Sequence, residues 1–190
     1  MTVYIGVLGD SGSGKTTLIE QVISTLSANG FKVGAVKHSS HDLFDLERKD
    51  TRRFRRAGAD VVVGFSRSET IIVKERGSVA NLATIHSLIQ NNVDVMIIEG
   101  FRSLVLADGR ILKIILAKNP ENLRKFASGP GRTIAVVSNN NARFKSLPKG
   151  AKLVSKDETG ILVQMLEAEV SKALSEKEPE PVRAKPYLQT

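Results

Sequence analysis

Short apolar runs alternate along the chain with segments whose apolar residues recur at helical spacing. An apolar run of about 4–8 residues bounded by turn signals is typical of a buried strand. Such runs occupy residues 3–8, 31–37, 61–65, 69–74, 93–98, 111–117 and 133–137. Helical periodicity covers residues 15–28, 78–90 and 157–174. This alternation predicts an α/β fold in which helices cover both faces of a mostly parallel sheet.

The length of 190 residues and the hydrophobic content of 41% suit one domain with a full core. We expect that domain to span residues 1–174. Residues 175–190 are charged and hold three of the six prolines, which predicts a tail outside the packed domain.

Composition narrows the classes of partner. The chain has no cysteine, which excludes disulfides and thiolate metal sites. A net charge of +8 favours anionic partners, but the aromatic content of 5% argues against nucleic acid and favours small polyphosphates. The first residues lack a signal-peptide pattern, and no apolar run approaches the roughly 18 residues of a membrane span. We therefore expect a cytoplasmic protein without a membrane partner.

The strongest motif follows the first apolar run. It matches G-x-x-x-x-G-K-[ST] and consists of Gly9, Asp10, Ser11, Gly12, Ser13, Gly14, Lys15 and Thr16, with Thr17 next. In a phosphate loop (P-loop) of this kind, backbone N–H groups and a helix N-terminus surround the phosphates. Lys15 is expected to reach the β- and γ-phosphates, and the Thr16 hydroxyl to bind Mg²⁺. A glycine-rich turn without a ligand is the alternative.

A second acidic group is expected at the end of a neighbouring strand, where it organises Mg²⁺. The apolar run 93–98 ends at Glu99, and Gly100 follows with an N–H group that can approach the γ-phosphate. Glu99 is therefore the candidate metal ligand, with a solvated strand-end carboxylate as the alternative. If the protein hydrolyses its nucleotide, Lys15 and Glu99 are the candidate catalytic residues.

A polar cluster follows the second strand: residues 37–42 read K-H-S-S-H-D, and Asp45 comes shortly after. Loops at the carboxyl ends of parallel strands gather around ligands. We expect Lys37 and His38 to contact phosphate, and Asp42 or Asp45 to contact Mg²⁺ or its water shell. Transition-metal binding and a solvated loop stay open as alternatives. The basic segment 48–56 fits either a grip on a phosphorylated ligand or a solvated face.

Together these motifs resemble one family, molybdopterin-guanine dinucleotide biosynthesis protein B, whose members are P-loop GTP-binding adaptors. The resemblance covers about the first hundred residues in the expected order and rests on four blocks. These are residues 9–17, the K-H-S-S-H-D block 37–42, the segment 49–59 from K-D-T to A-G-A, and I-E-G-F at 98–101. Arg48 stands where the family usually has glycine, which leaves the local shape of that loop open.

The resemblance implies a cytoplasmic homodimer that binds GTP and Mg²⁺ and is at most a slow GTPase. It implies a role in molybdenum cofactor biosynthesis, assisting the attachment of GMP to molybdopterin. The implied partner is the molybdopterin nucleotidyltransferase, with molybdopterin itself as a further candidate. Family members carry an extended strand region that helps form the dimer, and residues 101–117 are the candidate for it here.

The nucleobase and the reaction are left open by the sequence. Residues 137–141 read V-S-N-N-N and lack the N-K-x-D pattern with which many proteins recognise guanine, so Asn139 and Asn140 are only candidate base contacts. A small-molecule kinase with segment 48–56 as its lid is one alternative function. A GTP-driven metallochaperone that uses the paired histidines is another.

Overall fold

A computed structural model describes residues 2–38, 53–54, 57–59, 61–65, 67, 69–74, 81–89, 93–139 and 143–176. Within these residues the strands are β1 (Val3–Leu8), β2 (Val33–Lys37), β3 (Val61–Phe65), β4 (Thr70–Lys74), β5 (Val95–Glu99), β6 (Ile111–Leu116), β7 (Thr133–Ser138) and β8 (Lys152–Ser155). The helices are α1 (Lys15–Ala28), α2 (Leu82–Ile89), α3 (Arg102–Ala107), α4 (Pro120–Ala127) and α5 (Thr159–Ser175).

Six strands form one sheet in the order β2-β5-β1-β6-β7-β8, and every neighbouring pair is parallel. The inner strands β1 and β7 are buried along their whole length, which explains their uninterrupted apolar sequences. Strands β3 and β4 pair antiparallel and form a separate two-stranded sheet.

Helices cover both faces of the six-stranded sheet, as the sequence predicts. The stripe Leu18, Ile19, Val22 and Leu26 of α1 packs with α5 on one face, against alternate residues of the strands. Residues of α2, α3 and α4 form the core on the other face. No described helix has the length and apolar content needed to cross a membrane.

The parallel register brings the carboxyl ends of β1, β2 and β5 to one edge of the sheet. Lys37 of β2 lies opposite Glu99 of β5, and Val7 of β1 lies opposite the same Glu99. The loop that follows β1 therefore lies beside the ends of both other strands.

Several elements differ from the sequence expectation. The pattern did not predict α3, α4 or β8. Residues 101–117, the candidate dimerisation region, form α3 and β6, and β6 is hydrogen-bonded on both sides by β1 and β7. That strand has no free edge with which to pair a second chain. The expected tail falls almost entirely on residues 177–190, which lie outside the described residues.

Candidate functional site

The phosphate loop connects β1 to α1 and ends in a left-handed glycine. Gly14 is the N-cap of α1, with φ 93° and ψ 18°, and its carbonyl accepts the first helical hydrogen bond from Leu18 N at 3.0 Å. This conformation is open to glycine and disfavoured for other residues. The N–H groups of the first helical turn therefore face the loop, where an anion can accept their hydrogen bonds.

The Lys15 side chain curls over the loop. Its ammonium donates to the carbonyl of Gly9 at 3.0 Å and to that of Asp10 at 2.7 Å. Burial is the main cause that lowers the pKa of Lys15, and the nearby Glu99 and Asp10 carboxylates oppose this shift. The ammonium is thus held beside the N–H groups at the start of α1, where its hydrogen bonds to loop carbonyls could be exchanged for hydrogen bonds to phosphate oxygens.

Glu99 joins the phosphate loop to the end of β2. The Thr16 hydroxyl lies 3.2 Å from Oε1 and 3.4 Å from Oε2 of Glu99, and Lys37 Nζ lies 3.5 Å from Oε2. A hydroxyl and a carboxylate are hard oxygen ligands, and Mg²⁺ in nucleotide sites takes one or two such ligands together with phosphate oxygens and waters. The pair Thr16 and Glu99 fits Mg²⁺. The Lys37 ammonium adds a positive charge for a phosphate group.

His38 and Gly100 are in direct contact. His38 N donates to the Glu99 carbonyl at 2.9 Å, and the His38 ring lies 4.6 Å from that of Phe101. Gly100 has φ 83°, and a Cβ there would lie 2.9 Å from the His38 carbonyl oxygen. Phe101 also adopts a left-handed conformation, with φ 44° and ψ 40°. Backbone strain of this kind often occurs at functional sites.

The structure thus brings Lys15, Thr16, Lys37, His38 and Glu99 together at one edge of the sheet. Asp42, Asp45 and the basic residues from Arg48 to Arg52 lie outside the described residues. Among the described residues, there is no group of three or more His, Cys, Asp or Glu side chains that could hold a metal ion.

Sequence reasoning missed three residues that contact the phosphate loop. Asn122 and Lys125 of α4 bind the Asp10 carboxylate, and Lys156, just after β8, donates to the Ser13 carbonyl at 2.9 Å. A local signal for α4 does exist, because Asn119 caps the helix and Pro120 occupies its first turn. No local pattern marks Lys156.

A cavity of about 240 Å³ adjoins the phosphate loop at the ends of β6 and β7. Ser13, Lys118, Asn139 and Lys156 contribute polar groups to its lining. Cavities outside the carboxyl ends of parallel strands are the usual ligand sites of such sheets. The cavity therefore extends from the phosphate loop along the carboxyl ends of β6 and β7.

A larger cavity of about 710 Å³ lies at the opposite edge, where β1 begins. Its polar residues are paired with one another or with their neighbours: the Tyr4 hydroxyl contacts His86 Nδ1, and the Asp108 carboxylate binds the Arg110 guanidinium at 2.6 Å. Lys15, Thr16, Lys37 and Glu99, the described groups that suit phosphate and Mg²⁺ together, lie at the other edge with the P-loop.

Comparison with known proteins places these features in a family. The family model described as molybdopterin guanine dinucleotide synthesis protein B matches residues 4–139. A putative molybdopterin-guanine dinucleotide biosynthesis adapter protein of Methanocaldococcus jannaschii is 36% identical over 118 residues, 62% of this chain and 48% of the relative. The adapter protein of Haemophilus influenzae is 34% identical over 100 residues, 52% of this chain and 56% of the relative. The chain spans about half the length of these two relatives.

Solved structures with this fold are also similar to the chain. The crystal structure of Bacillus subtilis MobB superposes with a TM-score of 0.69 at 23% identity, and covers 87% of this chain and 96% of that one. A crystal structure of molybdopterin-guanine biosynthesis protein B gives a TM-score of 0.66 at 25% identity, with coverage of 88% and 99%. The six-stranded parallel sheet with its phosphate loop is therefore the fold of these proteins.

Proposed function

We propose a function from the premise that this chain belongs to the molybdopterin guanine dinucleotide synthesis protein B (MobB) family. It binds GTP with Mg²⁺ and acts as an adapter that assists the attachment of GMP to molybdopterin. One observation carries the proposal: Glu99 contacts both Thr16 of the phosphate loop and Lys37 of β2. Lys37 belongs to the block 37–42 and Glu99 to the block 98–101. Both blocks are separate from the phosphate loop in sequence, and the structure brings these two residues beside it.

In this proposal Thr16 and Glu99 hold Mg²⁺, which neutralises phosphate charge when it is bound. Lys15 binds the phosphate oxygens from within the phosphate loop, and Lys37 binds them from the end of β2, where its ammonium lies 3.5 Å from Glu99 Oε2. The loop N–H groups and the start of α1 hold the phosphates in place. Asp42 stays a candidate ligand from the sequence. Hydrolysis, if it occurs, is slow and uses Lys15 and Glu99.

The nucleoside occupies the cavity lined by Ser13, Lys118, Asn139 and Lys156. That cavity adjoins the phosphate loop, so a nucleotide with its phosphates in the loop places its base and ribose there. Lysine ammonium groups can donate to O6 and N7 of guanine, whereas adenine presents a donor at its N6 position. This chemistry favours GTP over ATP although the chain lacks the N-K-x-D pattern.

The contacts of Lys37 and His38 at the end of β2 favour the adapter interpretation over the kinase interpretation. Lys37 contacts Glu99 and His38 contacts Phe101, which supports a role for this part of the second block in nucleotide binding and not in binding a second substrate. The partner in this proposal is the nucleotidyltransferase that joins GMP to molybdopterin, with molybdopterin as a further candidate, and the site of action is the cytoplasm.

A homodimer through the β3–β4 sheet completes the proposal. Val63 and Ile72 are cross-strand partners on this sheet, and they are 46% and 64% exposed. A two-stranded sheet is marginally stable by itself, and an exposed apolar face favours a partner. Ile72→Lys should shift the protein toward monomer in sedimentation over a range of concentrations. Leu153→Lys on β8, where the leucine is 49% exposed, is the matched control and should leave the mass unchanged.

The decisive experiment is an equilibrium titration of the protein with GTP and with ATP, each with Mg²⁺ and with EDTA, by calorimetry. We expect GTP to bind more tightly than ATP, and Mg²⁺ to strengthen binding. A companion assay measures formation of molybdopterin-guanine dinucleotide by the nucleotidyltransferase with and without this protein. Absence of triphosphate binding would refute the nucleotide site, and an unchanged yield of product would refute the adapter role.

Glu99→Gln tests the metal assignment. The amide keeps the size of the side chain and removes the charge, so we expect a large loss of GTP affinity with Mg²⁺ and a small one with EDTA. Glu20→Gln on the exposed face of α1 is the control for a lost carboxylate. Equal losses with and without Mg²⁺ would make Glu99 a structural residue.

A further inference from the structure

Asp10 places a carboxylate inside the phosphate loop, and helix α4 binds it with two side chains. Lys125 Nζ lies 2.7 Å from Oδ1, and Asn122 Nδ2 lies 2.8 Å from Oδ2. The hydrogen bond from Lys125 is the largest cause that lowers the pKa of Asp10. Both oxygens of the carboxylate are therefore engaged by groups from an element more than a hundred residues away in sequence.

A free carboxylate at this position would oppose the binding of a polyphosphate, because it adds a negative charge to a site built for anions. Lys125 cancels that charge where it arises. The ion pair is partly exposed, with 42% of the Lys125 side chain and 36% of the Asp10 side chain accessible. Ion pairs at such exposure contribute little to folding stability. We therefore expect the Asp10–Lys125 pair to affect ligand binding, through the local charge and the shape of the loop.

Helix α4 is anchored at both ends, which makes it a rigid support for these contacts. At its start, the Asn119 side chain accepts from Asn122 N at 2.9 Å, and Asn122 Oδ1 accepts from Lys118 N at 3.3 Å. At its end, the fully buried Lys113 of β6 donates to the Ser128 carbonyl at 2.9 Å.

We propose that Asn122 and Lys125 are positioning residues of the nucleotide site, which act through Asp10. Lys125 neutralises the Asp10 carboxylate, and Asn122 fixes its orientation, so the first half of the loop is held open to phosphate. The inference rests on the proposed function, since it requires that this loop binds a nucleoside triphosphate. In this proposal the role of Lys125 is to neutralise Asp10, with its ammonium 2.7 Å from Oδ1, and direct binding of phosphate by Lys125 is the alternative that the double variant tests.

The test is a double-mutant cycle on the full chain, with GTP–Mg²⁺ affinity measured by calorimetry. Lys125→Met leaves Asp10 unneutralised, and we expect binding about three- to tenfold weaker than that of the wild type, a difference that shrinks as salt is raised. Asp10→Asn removes the charge, and it should restore Lys125→Met to within about twofold of the wild-type affinity. Arg124→Met removes an exposed cation from the same helix and should change the affinity by less than about twofold.

Three results would overturn the inference. If Lys125→Met binds as the wild type does, the ion pair has no role in the site. If the double variant stays as weak as Lys125→Met, Lys125 binds phosphate directly. If Arg124→Met weakens binding equally, the effect is one of net charge. Thermal unfolding of each variant separates these outcomes from a loss of fold. Wild-type protein that binds no triphosphate would refute the proposed function itself.

Asn122→Ala gives a second, charge-neutral test of the same contact. It removes the 2.8 Å hydrogen bond to Asp10, together with the 3.3 Å hydrogen bond from Lys118 N, and leaves Lys125 in place. We expect a loss of about two- to fivefold that is insensitive to salt, because no charge changes. An unchanged affinity would remove Asn122 from the proposal, and a strongly salt-dependent loss would contradict the orienting role.

Discussion

The contact between Gly100 and His38 gives the sharpest test of how the strand ends are arranged. Gly100 has φ 83°, and an added Cβ would lie 2.9 Å from the His38 carbonyl oxygen and 3.0 Å from His38 Cβ. The Gly100→Ala substitution therefore adds two costs, a left-handed backbone conformation for an L-residue and a steric clash with backbone that cannot rotate away.

The magnitude follows from these two costs. A left-handed conformation costs an L-residue about 1–2 kcal/mol. Overpacking by one methyl group in a fixed environment costs about 1–3 kcal/mol. We therefore expect Gly100→Ala to lower the free energy of unfolding by about 2–5 kcal/mol, or the melting temperature by about 4–20 °C for a domain of this size. The displacement of β5 from β2 should also move Glu99 and weaken Mg²⁺-dependent GTP binding.

The matched control is Gly30→Ala. Gly30 has φ 89°, and a Cβ there would meet nothing within 4 Å. It carries the same backbone cost, and the same change in the entropy of the unfolded chain, without the clash. Urea unfolding of both variants, followed by circular dichroism, isolates the steric part as their difference. If the two variants lose equal stability, the close approach of Gly100 to His38 does not constrain the fold and the reasoning fails.

Three further predictions concern single groups. Lys15→Ala should weaken triphosphate binding at least tenfold, or about 1.4 kcal/mol, because charge-assisted contacts to phosphate are strong; unchanged affinity in a folded variant would remove the phosphate-loop assignment. Lys113→Met should lower the free energy of unfolding by about 2–4 kcal/mol, because the carbonyls of residues 127–129 lose their donor. Urea unfolding measures the change. An unchanged or raised stability would mean that the cost of burying the Lys113 charge exceeds the stabilisation from its hydrogen bonds. Replacing His38 and Asp42 together by alanine should reduce triphosphate binding without unfolding the protein. If the double variant keeps the wild-type affinity, the segment 37–42 is a surface loop with no role in binding.

The sequence predicted the parts of the site that local pattern determines. The apolar strand before Gly9 and the helix that begins at Lys15 identified the phosphate loop. Glu99 was identified as the carboxylate at the end of an apolar run. The parallel arrangement then required Lys37 to reach the same edge, and its register opposite Glu99 agrees with this. Roles in nucleotide and Mg²⁺ binding stay predictions.

The contacts that sequence reasoning missed join residues far apart in the chain. Asn122 and Lys125 reach Asp10, and Lys156 reaches Ser13, through the packing of α4 and of β8 against the sheet. No periodicity encodes such a pairing. Strand β8 has only four residues with one of them buried, so its sequence lacks the apolar run that identified the other strands.

The place of β1 in the middle of the sheet determines when the domain can form during synthesis. Val3 pairs with Val95 on one side, and Tyr4 pairs with Ile111 on the other. Both partners leave the ribosome long after β1, by roughly 5–20 s at an elongation rate of about 5–20 residues per second. During that interval β1, which is buried along its whole length in the folded domain, and the phosphate loop beside it have no sheet to join. The candidate nucleotide site is therefore assembled only after β5 and β6 have been made, and until then the apolar residues of β1 lack both of their neighbouring strands.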